Sequence, residues 1–148
     1  MKNLFFLTSL TLLCFSCQTY SENELNEFDA KIKAWAAKKD MALTRTESGL
    51  YYQYIEEGTG PYIKYTDSVI VLFKGTLLNG TVFEIQKKPM AFAVKEMIVG
   101  WKEALMISKL NTKIQIIVPP QLGYGNHQLD KVPPNSTLFY EIEIVEIK

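Results

Sequence analysis

The dipeptide Asn79-Gly80 lies between two apolar stretches and constrains the fold more than any other local feature of the chain. The stretches are residues 75–78 before it and residues 81–84 after it. Asn and Gly both adopt the positive φ angles that a two-residue turn requires, so the pair predicts a β-hairpin. The β-prone run at residues 68–73 leads into the first strand of this hairpin. Antiparallel strands are therefore expected in the middle of the chain.

Further strands and one short helix are predicted on either side of this hairpin. Residues 98–106 predict the helix, because Trp101, Ala104 and Leu105 recur at spacings of three and four. Residues 44–49 are predicted as a polar connector, residues 56–61 as a turn, and strands are predicted at 50–55, 89–94, 113–118 and 137–147. Strands predominate without regular strand–helix alternation, so the expected class is α+β with an antiparallel sheet.

A capping box begins an amphipathic helix ahead of the strands. Ser21 stands three residues before Glu24, and an apolar stripe then continues to about residue 39. The stripe consists of Leu25, Phe28, Ile32, Trp35 and Ala36. Such a stripe must be buried against the domain that follows or against a second copy of the chain. Packing against the domain is the favoured interpretation, and a dimer formed through residues 22–39 is the alternative.

Residues 1–16 predict a signal peptide. Lys2 supplies the positive charge, and the apolar run that follows is too short to cross a bilayer comfortably. Ser16-Cys17 resembles the cleavage site of bacterial lipoproteins, so Cys17 is expected to carry lipid and to anchor the chain at the cell envelope, facing the periplasm or the cell exterior. Residues 17–48 would form the tether and amphipathic helix, and residues 49–148 the folded domain. Plain secretion with an incidental cysteine is the alternative.

The composition argues against several common kinds of functional site. Among the 148 residues there are one histidine, His127, and two cysteines, Cys14 and Cys17. A zinc site, a Ser-His-Asp triad or a Cys-His pair would need side chains that the chain scarcely has. Lys plus Arg number 16, as do Asp plus Glu, and no basic stripe alternates with aromatic residues. We therefore expect no metal, no cofactor and no nucleic-acid partner.

Five motifs, in order along the chain, resemble those of the FKBP family of peptidyl-prolyl cis-trans isomerases. They are VLFKGTL at 71–77, NGTVFE at 79–84, IVGWKEAL at 98–105, IVPPQLGYG at 117–125 and VPPNSTLFYEIE at 132–143. The resemblance implies a five- or six-stranded antiparallel sheet curled over one short helix, with a pocket between them. It also implies that the chain isomerises X-Pro bonds, that its partners are proline-containing polypeptides, and that a macrolide is a candidate ligand.

The resemblance assigns roles to individual side chains of this pocket. Trp101 would form the floor beneath the proline ring, Tyr124 would offer its hydroxyl to a substrate carbonyl, and Glu84 would be the polar group near the amide. The backbone N–H of Ile98 would hold a second carbonyl. The expected walls of the pocket are Phe73, Phe83, Phe92, Met97, Ile98, Val132 and Tyr140.

Prolyl isomerisation suits a chain that has few acid–base groups. The barrier of about 20 kcal/mol arises because the twisted amide loses its resonance. An apolar pocket can favour that twisted amide, since the planar form has the larger charge separation and loses more on leaving water. Phe73, Glu84 and Tyr140 replace the tyrosine, aspartate and phenylalanine usual in the family. The alternative function is therefore a non-catalytic chaperone, or an assembly factor of an envelope machine such as that of gliding motility.

Overall fold

The computed structural model describes residues 20–148, within which the chain forms two α-helices and eight β-strands. The predicted signal peptide and Cys17 lie outside the described residues. Of the helices within residues 20–148, neither is long and apolar enough to cross a bilayer. In chain order the elements are α1 (Glu22–Lys38), β1 (Thr44–Arg45), β2 (Tyr51–Glu56), β3 (Thr59–Tyr62), β4 (Ser68–Leu77), β5 (Val82–Ala93), α2 (Val99–Met106), β6 (Lys109–Leu110), β7 (Lys113–Val118) and β8 (Leu138–Ile147).

Six of these strands form one antiparallel sheet, in the order β1-β2-β7-β8-β4-β5. Strand β4 lies between β8 and β5, and its pairing with β8 runs from Val69 opposite Ile147 to Leu77 opposite Leu138. Strands β3 and β6 form a separate two-stranded sheet. The predicted α+β class with an antiparallel sheet is confirmed.

The turn between β4 and β5 closes the predicted hairpin, with Gly80 but not Asn79 in the positive-φ region. Gly80 has a φ of 92°, which an L side chain rarely adopts. The Leu77 amide donates to the Thr81 carbonyl at 2.9 Å, and the Gly80 amide donates to the Leu77 carbonyl at 2.9 Å. The Asn79 side-chain oxygen accepts from the Thr81 amide at 2.9 Å. The hairpin prediction is therefore confirmed.

The main core lies between α2 and one face of the sheet. Trp101 and Leu105 of α2 are buried there with strand residues such as Val71 and Ile116. The helix lies so close to the sheet that a Cβ atom added at Gly100 would come within 2.6 Å of Val118 Cγ1. Glycine at this position therefore allows the close approach that places Trp101 inside the domain.

Helix α1 packs on the opposite face of the sheet. Its Ile32 side chain is buried with Tyr51 of β2 and Ile117 of β7. Ile117 directly follows Ile116 of the main core, and neighbouring residues of a strand point to opposite faces. The Trp35 indole N–H also donates to the Leu78 carbonyl at 2.7 Å. Phe28, Ile32 and Ala36 of the apolar stripe are therefore buried within a single chain, in agreement with the favoured interpretation, whereas Leu25 stays exposed.

Polar contacts define the start of α1 and join its middle to strands β1 and β2. The capping box is present, because the Ser21 hydroxyl accepts from the Glu24 amide and the Glu24 carboxylate accepts from the Ser21 amide at 2.8 Å. Further along the helix, the Asp29 carboxylate accepts hydrogen bonds from Arg45 Nε at 2.8 Å and from the Tyr51 hydroxyl. A third partner of that carboxylate is Lys33, at 2.7 Å.

Three local predictions differ from the observed elements. Strand β5 runs unbroken from residue 82 to residue 93 and includes Pro89, where the sequence predicted a separate strand. Because β5 is at the edge of the sheet, a residue without an N–H can be accommodated there. The predicted connector contains β1, which pairs with the adjacent strand β2, and the predicted turn contains β3, which pairs with the distant strand β6.

Candidate active site

A cavity of about 420 Å³ opens between the N-terminal end of α2 and the sheet. Strands β4, β5 and β8, the start of α2 and the loop after β7 each contribute to its wall. The residues that line the cavity are Phe73, Glu84, Ala91, Phe92, Ala93, Glu96, Met97, Ile98, Trp101, Tyr124 and Tyr140.

Aromatic rings in edge-to-face contact form the base of this cavity. The Trp101 side chain is only 2% exposed, and its ring centroid lies 5.1 Å from that of Phe73 and 5.2 Å from that of Tyr140. The interplanar angles of these two pairs are 83° and 88°. Phe92 adds a fourth ring, 6.0 Å from Phe73. Such contacts hold the rings in fixed orientations, so the base is apolar and ordered.

The phenol groups of Tyr140 and Tyr124 form the polar side of the cavity. Burial of Tyr140 raises the pKa of its hydroxyl well above the ordinary value, and the neighbouring Tyr124 and the charge of Glu84 raise it further. A hydrogen bond with Trp101 opposes this rise in pKa only in part. Tyr140 therefore stays protonated at neutral pH, and its hydroxyl is hydrogen-bonded to that of Tyr124.

The start of α2 brings backbone amides to the rim of the cavity. Ile98 is the N-cap residue of the helix, and its carbonyl accepts from the Lys102 amide at 3.1 Å. Amides in the first turn of a helix lack carbonyl partners within the helix and therefore attract carbonyl oxygens of a ligand. Within residues 20–148, no group of His, Cys, Asp and Glu side chains is placed to hold a metal ion.

Together these groups form a site that can bind but has few means of acid–base chemistry. The aromatic base can take an apolar ring and remove its surroundings from water. Tyr124 can donate a hydrogen bond from the side of the cavity. Carboxylates of Glu84 and Glu96 also reach its wall. The arrangement is suited to binding a cyclic apolar side chain next to an amide.

Eight of the ten pocket residues expected from the sequence line this cavity, and Phe83 and Val132 do not. The Phe83 ring lies behind Tyr140, with the centroids 5.5 Å apart. A Cβ atom added at Gly75 would come within 2.6 Å of the Phe83 ring, which shows how closely that ring covers the strand. Val132 is 4% exposed and belongs to the main core. Phe83 therefore packs against a wall residue, and Val132 contributes to the core.

The cavity also contains residues that sequence reasoning missed. Ala91, Ala93 and Glu96 line it beside Phe92 and Met97. The two alanines carry no chemical signal, because a methyl group next to a cavity looks the same in sequence as one on the surface. Glu96 lies in a one-turn helical segment, Val94–Glu96, that directly precedes the rim. Its nearness to the Met97-Ile98 pair was the available signal.

The chain is similar in sequence to a known protein family. Residues 60–145 match the family model described as FKBP-type peptidyl-prolyl cis-trans isomerase. The chain is 35% identical over 138 residues to the FKBP-type peptidyl-prolyl cis-trans isomerase FkpA of Escherichia coli K12. That alignment covers 90% of this chain and 51% of the Escherichia coli protein. The chain thus spans about half the length of the curated relatives it matches.

Solved structures show the same fold. The crystal structure of FkpA from Escherichia coli superposes with a TM-score of 0.74 at 35% identity, covering 86% of this chain and 62% of that one. A peptidyl-prolyl cis-trans isomerase from Pseudomonas syringae pv. tomato superposes with a TM-score of 0.75 at 24% identity. That alignment covers 88% of this chain and 98% of the other.

Proposed function

The chain belongs to the FKBP-type peptidyl-prolyl cis-trans isomerase family, and we propose that it accelerates the cis–trans isomerisation of X-Pro bonds in polypeptides. The observation that carries this proposal is the aromatic base formed by Trp101, Phe73 and Tyr140 beneath an open cavity. A proline ring is apolar and rigid, so it can bind against these rings at little cost in conformational entropy.

The chemistry follows from the change in the amide during rotation. The planar amide is strongly dipolar and favours water, whereas the twisted amide has lost part of its charge separation. Transfer into an apolar cavity therefore costs the planar form more than the twisted form, and the barrier falls by that difference. Neither a nucleophile nor a proton transfer is needed.

In this mechanism the polar groups of the cavity orient the substrate. The Tyr124 hydroxyl would donate to one substrate carbonyl and the Ile98 N–H to another. Both donors lie at the rim of the cavity, whereas Trp101 would lie beneath the proline ring of the substrate. Glu84 would lie near the amide that rotates. These contacts would hold the flanking residues in place while the X-Pro bond turns.

Binding without catalysis is the second candidate, and the composition of the pocket wall favours it. Phe73, Glu84 and Tyr140 line the cavity in place of the tyrosine, aspartate and phenylalanine usual in the family. A pocket with these three replacements would still retain proline segments but would stabilise the twisted amide less. The chain would then act as a proline-segment-binding chaperone or as an assembly factor of an envelope machine, for example in gliding motility.

We also propose the cell envelope as the site of action. The support is the sequence of residues 1–17, with its charged start, apolar run and Ser16-Cys17 pair. In this proposal residues 1–16 are a signal peptide, residues 17–48 are the lipidated tether and α1, and residues 49–148 are the isomerase domain. The clients would be exported or envelope proteins. Macrolide binding and a dimer through residues 22–39 stay predictions.

A protease-coupled assay on a short X-Pro peptide tests the isomerase proposal. The unaltered chain should accelerate isomerisation, and Trp101→Leu should lower kcat/KM by about tenfold or more, since loss of about 1.4 kcal/mol of transition-state binding is tenfold. Trp35→Leu is the matched control, because Trp35 lies on the opposite face of the sheet.

The same assay separates the two candidates. Retained peptide binding without acceleration would favour the chaperone and would rule out the enzyme. Equal losses in the Trp101 and Trp35 variants, with both folds intact by circular dichroism, would show that the pocket is misassigned.

A further inference from the structure

A second cavity, here called the flank groove, lies beside the pocket and shares Tyr124 with it. Its volume is about 560 Å³. One side is formed by Tyr20 and Leu25 at the start of α1, and the other side by residues 120–127 after β7. Because the family model begins at residue 60, the α1 side of this groove lies outside the matched region.

Hydrogen bonds fix the start of α1 against the pocket loop. The Tyr20 hydroxyl donates to Asn135 Oδ1 at 2.7 Å. The backbone N–H of Asn135 in turn donates to the Gly125 carbonyl at 2.8 Å. The Tyr20 ring also rests edge-on against Phe28, with the centroids 5.2 Å apart. This hydrogen bond and this ring contact therefore hold Tyr20 at the wall of the groove, beside the loop that carries Tyr124.

Leu25 completes this wall with an apolar surface that the domain does not cover. Phe28, Ile32 and Ala36 of the same stripe are buried, whereas Leu25 is 37% exposed. Tyr20 and Leu25 occupy the positions on either side of a helix cap that commonly pack together and set the angle of the entering chain. The sequence that starts the helix thus also places two apolar groups over the groove.

The chemistry of the groove differs from that of the pocket. None of the groove's lining residues is Asp, Glu, Lys or Arg, whereas Glu84 and Glu96 line the pocket. Its side chains are aromatic, aliphatic and amide groups, together with the imidazole of His127. At its base the Gln121 side-chain oxygen is buried and accepts no hydrogen bond within the described part of the chain.

We propose that the flank groove binds the substrate residues beyond the X-Pro core and favours uncharged, apolar side chains there. This inference rests on the proposed function, because a proline held in the pocket is what brings its neighbouring residues to the groove. The two cavities meet at Tyr124, so a single extended segment can lie in both. An extended chain advances about 3.3 Å per residue, so the first few neighbours of the proline would lie along the groove.

The test compares substrates that differ only beyond the X-Pro core. One peptide is a tetrapeptide, and the others extend it by three residues, either leucines or serines, on the N-terminal or the C-terminal side. With the full chain, leucine extension on one side should raise kcat/KM about three- to tenfold over serine extension, as expected for partial burial of one or two leucines. In Leu25→Gln this ratio should fall towards one.

Met106→Gln is the matched control. Met106 is also helical, is 39% exposed and lies at the far end of α2 from the pocket. The control should keep the leucine-to-serine ratio of the unaltered chain. If Leu25→Gln also keeps that ratio on both sides of the proline, or if the unaltered chain shows no preference for leucine, the inference is wrong.

The outcomes distinguish this inference from the proposed function. No acceleration of the tetrapeptide by the unaltered chain would contradict the isomerase proposal alone. The groove is then tested by fluorescence anisotropy with the same extended peptides carrying a dye. Tighter binding of the leucine peptides that is lost in Leu25→Gln supports the groove, and equal affinities for the leucine and serine peptides overturn it.

Discussion

Replacing Asp29 with Asn should loosen α1 from the sheet in a pH-dependent way. Burial alone would raise the pKa of this carboxyl, but hydrogen bonds from Lys33, Tyr51 and Arg45 outweigh it and lower the pKa from 3.8 to about 2. Because the folded-state pKa is the lower one, this stabilisation is fully present above pH 3.8 and is lost as the pH falls towards 2.

The expected magnitude is modest. A shift of nearly two pKa units corresponds to about 2 kcal/mol, at about 1.36 kcal/mol per unit. The Lys33 and Arg45 side chains are 65% and 46% exposed, so water screens much of their interaction with Asp29. We therefore expect Asp29→Asn to lower the free energy of unfolding by about 1 kcal/mol at pH 7. Roughly half of that difference should vanish at pH 3.

Urea unfolding followed by circular dichroism at pH 7 and pH 3 measures this difference. Asp130→Asn is the control, because Asp130 is also an aspartate but lies exposed in the loop after His127. The control should match the unaltered chain at both pH values. A difference for Asp29→Asn that is the same at pH 7 and pH 3, or absent at pH 7, would refute the assigned contacts.

Two further predictions concern the pocket wall and the anchor. Gly75→Ala would place a methyl group within 2.6 Å of the Phe83 ring, so urea unfolding should show a free energy of unfolding lower by about 1–3 kcal/mol. Gly123→Ala is the control, because its nearest contact would be at 3.4 Å, and its free energy of unfolding should be nearly unchanged. Equal stabilities would contradict this. Cys17→Ser should abolish incorporation of radioactive fatty acid and Cys14→Ser should not; label retained by the Cys17 variant would place the lipid elsewhere.

Local sequence signals predicted those parts of the fold that depend on short-range chemistry. The turn at Asn79-Gly80 follows from backbone preferences of its own residues, and the helix start at Ser21 follows from a reciprocal pair of hydrogen bonds with Glu24. By contrast, β3 and β6 were missed. Each is short, and their pairing joins Thr59 to Leu110 across about fifty residues. No local preference specifies such a contact.

In the candidate site, too, the sequence predicted some features, whereas others depend on how distant segments pack. The family motifs brought Trp101 and Tyr124 to attention, and both line the cavity. Whether a given apolar residue touches the cavity or lies behind its wall depends on the curvature of the sheet, which a motif does not encode. Phe83 is an example, since it packs behind Tyr140. The flank groove was also invisible in sequence, because it forms only when the start of α1 meets the loop after β7.

The hydrogen bond between Tyr20 and Asn135 has a consequence for the reach of the domain. It fixes the point where the N-terminal segment leaves the fold, beside the mouth of the pocket. Three residue steps separate Tyr20 from Cys17, and three extended residues span at most about 11 Å. With a lipid on Cys17, as we propose, the pocket would be held within a short distance of the bilayer surface. Its clients would then be chains that pass close to that surface before they have folded.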